Sequence, residues 1–166
     1  MLCELKCAYL CYMDKYEQIA ERVVVNKIRS SWLEISKMYN EMAADKGGTM
    51  SMAFVLLTIN EQYGTPVTKI APRMGMEPNS LSRVLKALEK KGAIYKRKDK
   101  TDKRKVYICL TEYGIDLREV AFNRLFDFES SISKKVTSEN INAFFEVINV
   151  IPQVVEEFRN KLKEGG

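Results

Sequence analysis

A dense run of cations between Arg83 and Lys105 is the part of this sequence best equipped for chemistry. The segment contains eleven lysines and arginines and three acidic residues, a net charge of +8. The rest of the chain holds 16 basic and 19 acidic residues, a net charge of −3, so the overall +5 is very unevenly distributed. Clustered ammonium and guanidinium groups attract phosphate to one surface. The segment therefore predicts a polyanion-binding surface, with a solvated lysine-rich loop as the alternative.

The residue types that the chain lacks exclude several kinds of active site. Its 166 residues include no histidine. Catalytic triads that use imidazole, HExxH zinc proteases and Cys2His2 zinc fingers all require one. The sequence also contains no phosphate-binding loop and no dinucleotide-binding fingerprint. We therefore expect neither an enzyme nor a bound cofactor.

Three of the four cysteines, Cys3, Cys7 and Cys11, are spaced to share one face of an N-terminal helix. A low thiol pKa needs nearby cations, and Lys6 is the only one close to them in the sequence. Three thiolates alone leave a zinc site one ligand short. Packing or a frayed tail is favoured over redox sensing, and redox sensing over a metal site. Translation that begins at Met13 would leave these thiols out altogether.

Composition and length favour one folded domain. The chain is 46% hydrophobic and 30% charged, which is ordinary for a globular protein. It contains no run of about 18 apolar residues. Glu4, Lys6 and Asp14 interrupt the first apolar stretch, unlike a signal peptide. We expect a cytoplasmic protein.

Two helices are predicted in the first part of the chain. Apolar residues recur every three or four positions from Tyr16 to Met42, which predicts one long amphipathic helix. It should end before Lys46-Gly47-Gly48. The hydroxyl-rich segment from Thr49 to Ser51 offers a cap for a second, largely buried helix, which Gly64 is expected to break.

Two further helices have the pattern of a helix-turn-helix. The first is predicted from Pro66 to Met74, with Thr65 as its N-cap and Gly75 in the left-handed conformation at its end. The second begins at Pro78 and has an apolar inner stripe. Its outer face carries polar and basic residues that we expect to contact bases: Asn79, Ser80, Ser82, Arg83 and Lys86. An ordinary pair of packed helices explains these two elements nearly as well.

A predicted β-hairpin decides between these alternatives. Residues 93–97 and 105–110 alternate like strands around a charged tip. A basic hairpin directly after a basic-faced helix predicts a winged helix-turn-helix, whose helix enters the major groove of DNA. The wing would then meet backbone phosphates through its lysines: Lys96, Lys98, Lys100, Lys103 and Lys105.

The run from Gly64 to Thr111 resembles the winged helix of MarR-type bacterial transcriptional regulators. The most specific match is Asp102-x-Arg104 followed by Leu110-Thr111, the wing signature of that family. The resemblance implies that Arg104 enters the DNA minor groove while Asp102 helps to hold it. It also implies a homodimeric regulator, in most cases a repressor, that binds a near-palindromic operator on double-stranded DNA.

Two residues depart from the family pattern. Pro72 lies inside the first helix of the motif, where it removes a hydrogen bond and should kink or shorten the helix. Glu77 occupies the cap position before the second helix, where a shorter Asp or Ser caps better. Both departures concern local geometry and leave the predicted fold unchanged.

The predicted fold class is mainly α with a small β-hairpin wing, a winged helix-turn-helix flanked by long N- and C-terminal dimerisation helices. Within one structural domain, residues 1–48 form the N-terminal helical region, residues 49–111 the DNA-binding region and residues 112–166 the C-terminal helices. The last helix begins near Thr137-Ser138 and repeats apolar residues at near-heptad spacing. We expect it to pair with a second subunit, and the alternative is burial in the chain's own core.

The resemblance further implies a small effector, often an aromatic or phenolic anion, bound between the dimer helices and the winged unit. The candidate pocket residues are Trp32, Ile35, Tyr39, Met52 and Val55. Core packing explains these residues as well as a pocket does. Two alternative functions stay open at this stage: a winged-helix module that docks an acidic protein, and a redox regulator that uses the N-terminal cysteines.

Overall fold

The residues that the structure describes include six helices and three short strands of the fold, given below. The computed structural model describes residues 19–20, 22–99, 101–102 and 104–165. The three N-terminal cysteines, Lys100 and Lys103 lie outside the described residues, so the predictions for them have no structural counterpart. The elements, in chain order, are α1 (Val24–Ala44), α2 (Met50–Thr58), β1 (Thr65–Pro66), α3 (Val67–Met74), α4 (Pro78–Lys90), β2 (Ile94–Lys98), β3 (Val106–Leu110), α5 (Glu112–Ser133) and α6 (Ser138–Glu164). The predicted class, mainly α with a winged hairpin, is confirmed.

The first long helix starts later than its apolar periodicity predicts. Val23 is extended, with φ −86° and ψ 121°, so α1 begins at Val24 and is not continuous with the helical residues 19–20. The side-chain amide of Asn26 donates to the carbonyl of Ala20 at 2.9 Å. Three successive valines have low helix propensity because their branched side chains crowd the preceding turn. The prediction of one unbroken helix from Tyr16 was therefore wrong.

Helix α2 begins as predicted and ends six residues before Gly64. The hydroxyl of Thr49 accepts a hydrogen bond in the first turn, which confirms the cap. At the other end, Ile59 is extended and buried. The side-chain oxygen of Asn60 then accepts hydrogen bonds from two backbone N–H groups, at 2.8 and 3.1 Å. This asparagine turn, and not the glycine, ends the helix.

Thr65 belongs to a strand and is not the N-cap that its sequence context predicts. Thr65 and Pro66 form β1, which pairs antiparallel with Ile108 and Tyr107 of β3. The Thr65 hydroxyl accepts from the backbone N–H of Asn60 at 2.9 Å, so it serves the preceding turn. Helix α3 consequently starts at Val67, one residue later than predicted. The pairing with β3 overrides a local sequence signal that fits a helix start equally well.

The predictions around the turn of the helix-turn-helix fare better. Gly75 is left-handed, with φ +56°, as predicted for the end of α3. Pro72 lies within α3, and the helix continues two residues beyond it to Met74. Glu77 is the N-cap of α4 and makes no side-chain capping hydrogen bond, as its length predicts. Pro78 occupies the first turn of α4.

Helices α2, α3 and α4 and the three strands form the winged unit. Its sheet has the strand order β1-β3-β2. The largest fully buried side chains come from α2, the segment after it, α3, α4 and the central strand: Val55, Ile59, Ile70, Leu88 and Ile108. Gly114, in the first turn of α5, lies directly against the backbone of Ala93, so a Cβ there would overlap the Ala93 carbonyl. The Thr111 hydroxyl donates to the Gly92 carbonyl at 2.6 Å. These contacts seat the start of α5 on the base of the wing.

The chain forms two compact units that divide between Arg118 and Glu119. In the second unit, α6 begins after Thr137, whose hydroxyl caps it as predicted. None of the 27 residues of α6 is buried. Large apolar side chains stand exposed along it. Among the residues that the structure describes, no helix combines the length and apolar character needed to cross a bilayer.

Candidate nucleic-acid interface

Helix α4 separates its residues into a buried stripe and an exposed polar face. Leu81, Leu85 and Leu88 are buried in the core of the winged unit. The residues predicted to contact bases are all exposed: Asn79, Ser80, Ser82, Arg83 and Lys86, with Pro78 at the first turn. Because the leucines fix the rotation of the helix, its amide, hydroxyl and cationic groups point to solvent together. Such a helix presents donors of different reach to a groove.

The wing follows α4 directly, and its strands pair in a fixed register. Ile94 to Lys98 of β2 lie opposite Leu110 to Val106 of β3. The ammonium group of Lys96 donates to the Glu89 carboxylate of α4 at 2.6 Å. This ion pair joins the wing to α4. It also partly balances the charge of Lys96, which is one of the predicted phosphate contacts. Lys98 and Lys105 are exposed.

The Asp99 carboxylate accepts several hydrogen bonds at the tip of the wing. One oxygen of Asp99 accepts hydrogen bonds from the backbone N–H and the hydroxyl of Thr101, at 2.9 and 2.8 Å, and from the backbone N–H of Asp102 at 3.0 Å. These bonds favour the ionised form. The Asp102 amide contributes most, followed by the hydroxyl and amide of Thr101, and they lower the pKa of Asp99 from 3.8 to about 2. Sequence analysis missed this residue, although an aspartate two positions before a threonine in a turn is a recognisable signal.

Asp102 and Arg104 are brought together as the family resemblance implies. The Asp102 carboxylate accepts from the backbone N–H of Arg104 at 3.1 Å and from its Nε at 3.3 Å. The Arg104 side chain is nevertheless 93% exposed. Asp102 thus holds the base of the side chain while the rest projects from the wing. The ammonium nitrogen of Lys105 lies 4.0 Å from the other oxygen of the Asp102 carboxylate.

The five candidate effector residues occupy unlike environments. Met52 and Val55 are buried in the core of the winged unit. Ile35 and Tyr39 are half-buried on α1, where Tyr39 meets the ring of Phe54 edge-on with centroids 5.9 Å apart. Trp32, one helical turn before Ile35, is 50% exposed. The described residues contain no group of side chains arranged to hold a metal ion.

Comparisons with known proteins agree with this geometry. The model of the MarR family matches residues 49–106, which run from the cap of α2 into β3. The HTH-type transcriptional regulator SarZ of Staphylococcus epidermidis is 30% identical over 106 residues, 64% of this chain. That match spans 66% of the relative, just under two thirds of its length. SarZ of Staphylococcus saprophyticus is 28% identical over 149 residues, 90% of this chain and 96% of that protein.

By sequence and by fold, the region from residue 49 to residue 106 is a MarR-family winged helix. Solved structures of related fold include Staphylococcus aureus MepR in complex with DNA, with a TM-score of 0.73 and 20% identity, covering 80% of this chain and 98% of that one. Another is Rhodococcus jostii CouR bound to p-coumaroyl-CoA, with a TM-score of 0.71 and 19% identity, covering 80% and 93%. The predicted fold is thereby confirmed, and the match of residues 49–106 agrees with the predicted family. The relatives that the chain matches are named HTH-type transcriptional regulators.

The depressed pKa of Asp99 predicts how the wing tip responds to acid. The folded pKa lies below the ordinary one, so ionised Asp99 stabilises the tip at all pH values above about 3.8, and this is lost as the pH falls through about 2. A carboxyl-carbon NMR titration should find Asp99 still ionised at pH 3.5. Thr101→Ala removes one donor and should raise the pKa, though not to 3.8, since two backbone donors remain. Half-titration of Asp99 near pH 3.8 in the folded wild-type protein would contradict the network.

Proposed function

We propose that the protein is a homodimeric MarR-type repressor that binds a near-palindromic operator and loses affinity for it when a small effector binds. The observation that carries this proposal is the exposed polar face of α4 beside a wing from which Arg104 projects. Both lie within one compact unit and are joined by the Lys96–Glu89 ion pair. A bacterial operator is chromosomal, so we place the protein in the cytoplasm.

Sequence recognition is assigned to α4 in the major groove. Arg83 has the fork of donors that suits the O6 and N7 atoms of guanine, and Asn79 suits adenine. Ser80, Ser82 and Lys86 complete the face as shorter and longer donors. Pro78 sets the first turn, where the exposed backbone N–H groups favour a phosphate.

The wing is assigned to the backbone and the minor groove. Arg104 enters the groove, with Asp102 restricting its rotamers before DNA arrives. Phosphate contacts are assigned to the lysines of the wing: Lys96, Lys98, Lys100, Lys103 and Lys105. Lys96 must give up its ion pair with Glu89 to reach a phosphate.

Dimerisation is assigned to the terminal helices. On α6, apolar residues follow the alternating four-and-three spacing of a heptad repeat: Phe144, Ile148, Ile151, Val155, Phe158 and Leu162. Four of these six are exposed large hydrophobics. A contiguous apolar surface of this length marks an interface. A second copy that covers it would place two copies of α4 about 34–36 Å apart, one turn of DNA.

An effector site is assigned to the face of α1 and α2 that carries Trp32, Ile35, Tyr39, Met52 and Val55. The support is the family and the fold, since CouR, which shares the fold, has been solved with p-coumaroyl-CoA. The proposed ligand class is the small aromatic or phenolic anion that the family resemblance implies. The exposed ring of Trp32 and the half-buried Ile35 offer the entry side.

Neither alternative function gains support from the comparisons. Docking of an acidic protein would use the same cations, but the matched relatives are named transcriptional regulators. A redox mechanism would require the N-terminal thiols, which lie outside the described residues.

Replacing Arg104 tests the wing assignment. Arg104→Ala should weaken operator binding by about 1–3 kcal/mol, because a positioned donor in the minor groove is lost. Fluorescence anisotropy with a labelled operator, selected from genomic fragments, measures this. Arg29→Ala on α1 removes the same charge far along the sequence and should leave affinity nearly unchanged. Equal losses in both variants would mean that only net charge matters. A salt titration tests the phosphate contacts separately: the affinity of the wild type should fall by ~10³–10⁵ between about 50 and 200 mM salt, and a smaller fall would overturn these contacts.

A charge placed on the heptad face of α6 tests the dimer. Phe158 is 61% exposed in the single chain, and Phe158→Asp would bury two carboxylates in a symmetric interface. An uncompensated buried charge costs about 3–5 kcal/mol, so the dimer should dissociate at micromolar concentration. Light scattering after size exclusion measures the mass. Gln153→Asp, off the heptad positions of the same helix, should stay dimeric, and a dimeric Phe158→Asp would refute this interface.

An operator-release titration tests the effector class. Adding 4-hydroxybenzoate should release the labelled operator, whereas the neutral benzyl alcohol should not at the same concentration. Trp32→Ala should raise the concentration needed for half-release about tenfold or more, because the proposed contact between the Trp32 ring and the ligand is lost. Leu33→Ala, the adjacent residue on α1, serves as the matched control. No release by any aromatic carboxylate would remove this effector class from the proposal and leave DNA binding intact.

A further inference from the structure

Among the wing cations that the structure describes, Arg97 is the one whose side chain lies across the sheet. It sits on β2 opposite Tyr107 of β3. Its guanidinium lies over the Tyr107 ring, 5.6 Å from the centroid. Beyond the ring, one terminal nitrogen donates to the backbone carbonyl of Tyr63 at 2.6 Å. The residue therefore contacts the central strand and the turn that leads into β1.

The acceptor at the far end of this contact is rigidly held. The backbone N–H of Tyr63 donates to the side chain of Asn60 at 2.8 Å. The next residue, Gly64, is buried at φ +70°, and a Cβ there would approach the Cys109 sulfur to 2.6 Å and the Ile108 carbonyl oxygen to 2.7 Å. The turn thus packs against β3 with no free space. Arg97 is tied to a fixed point of the fold.

The contact of Arg97 lies where the three-stranded part of the sheet ends. Strand β1 pairs only with Ile108 and Tyr107. The row that holds Pro66, Tyr107 and Arg97 is therefore the last one with three strands, and beyond it the wing is a two-stranded hairpin. A hairpin without a third strand has little stability of its own. Pro66 also has no N–H with which to strengthen this outer row.

We infer that Arg97 is a positioning residue that sets the direction of the wing, and that it does not itself bind phosphate. The guanidinium stacks on Tyr107 with its face and donates to Tyr63 with its edge, a combination that a lysine ammonium cannot reproduce. These contacts fix the hairpin at the point where the third strand, β1, ends. Because the direction of the hairpin is fixed there, Arg104 at the tip is aligned with the minor groove. The inference rests on the proposed DNA binding.

Conservative replacements separate positioning from phosphate contact. Arg97→Lys keeps the charge and loses the stacked fork, and Tyr107→Leu loses the ring without touching any charge. Both should weaken operator binding about tenfold, or about 1.4 kcal/mol. Tyr107→Phe keeps the ring and should bind like the wild type. A phosphate contact predicts instead that Arg97→Lys and Tyr107→Leu both retain near wild-type affinity, and that result would overturn the inference.

A double-mutant cycle with Arg104 adds a readout that a general loss of stability would not give. If Arg97 acts through the wing tip, Arg97→Lys should cost little in an Arg104→Ala background, whereas independent contacts add. Additive losses would refute the inference.

Hydrogen exchange on the free protein keeps the inference testable if no operator is bound. The backbone N–H groups of Asp99 and Lys105, which bond within the tip at 3.0 and 2.9 Å, should exchange faster in Arg97→Lys than in the wild type. Wild-type protein that binds no DNA fragment would refute the proposed function alone. Unchanged exchange rates in Arg97→Lys would refute the positioning role of Arg97 alone.

Discussion

The winged unit depends on the pairing of β3 along both of its edges. Ile108 lies opposite Thr65 on one side and Lys96 on the other, and its own side chain is completely buried. The strand therefore joins a turn that follows α2 to a hairpin that follows α4. The core formed by α2, α3 and α4 closes over this strand, and the exposed face of α4 takes its direction from that packing. A shift in the register of β3 would move the helix and the wing together.

The cations of the +8 segment are not equivalent, although their formal charges are. Lys96 is paired with Glu89, and Arg97 is bound to a backbone carbonyl and a ring. Arg104 extends into solvent with only its base held. Charge density attracts a phosphate backbone at a distance, but the internal partners decide which cations are available to it. The same stretch thus contains groups that build the wing and groups that the wing presents.

Local sequence signals predicted most of the elements that carry the proposed DNA-binding surface. The leucine stripe and Pro78 located α4, and alternation located β2 and β3 to within a residue or two. The failures had two causes: at β1 the decisive contact is distant in sequence, whereas at Asn60 and Asp99 it is a local side-chain turn. Thr65 and Pro66 look like a helix start until β3 pairs with them. The end of α2 depends on a side-chain turn at Asn60. The bonds to Asp99 exist only once the tip has folded, so spacing indicates the residue without revealing its pKa.

Gly64 also crowds the thiol of Cys109. Cys109 is 5% exposed, and a Cβ added at Gly64 would lie 2.6 Å from its sulfur. Oxidation to a sulfenic acid requires an oxidant to reach that sulfur. Because the susceptibility of a thiol follows its exposure, Cys109 reacts only when the packing around it opens, and exposed thiols are oxidised first.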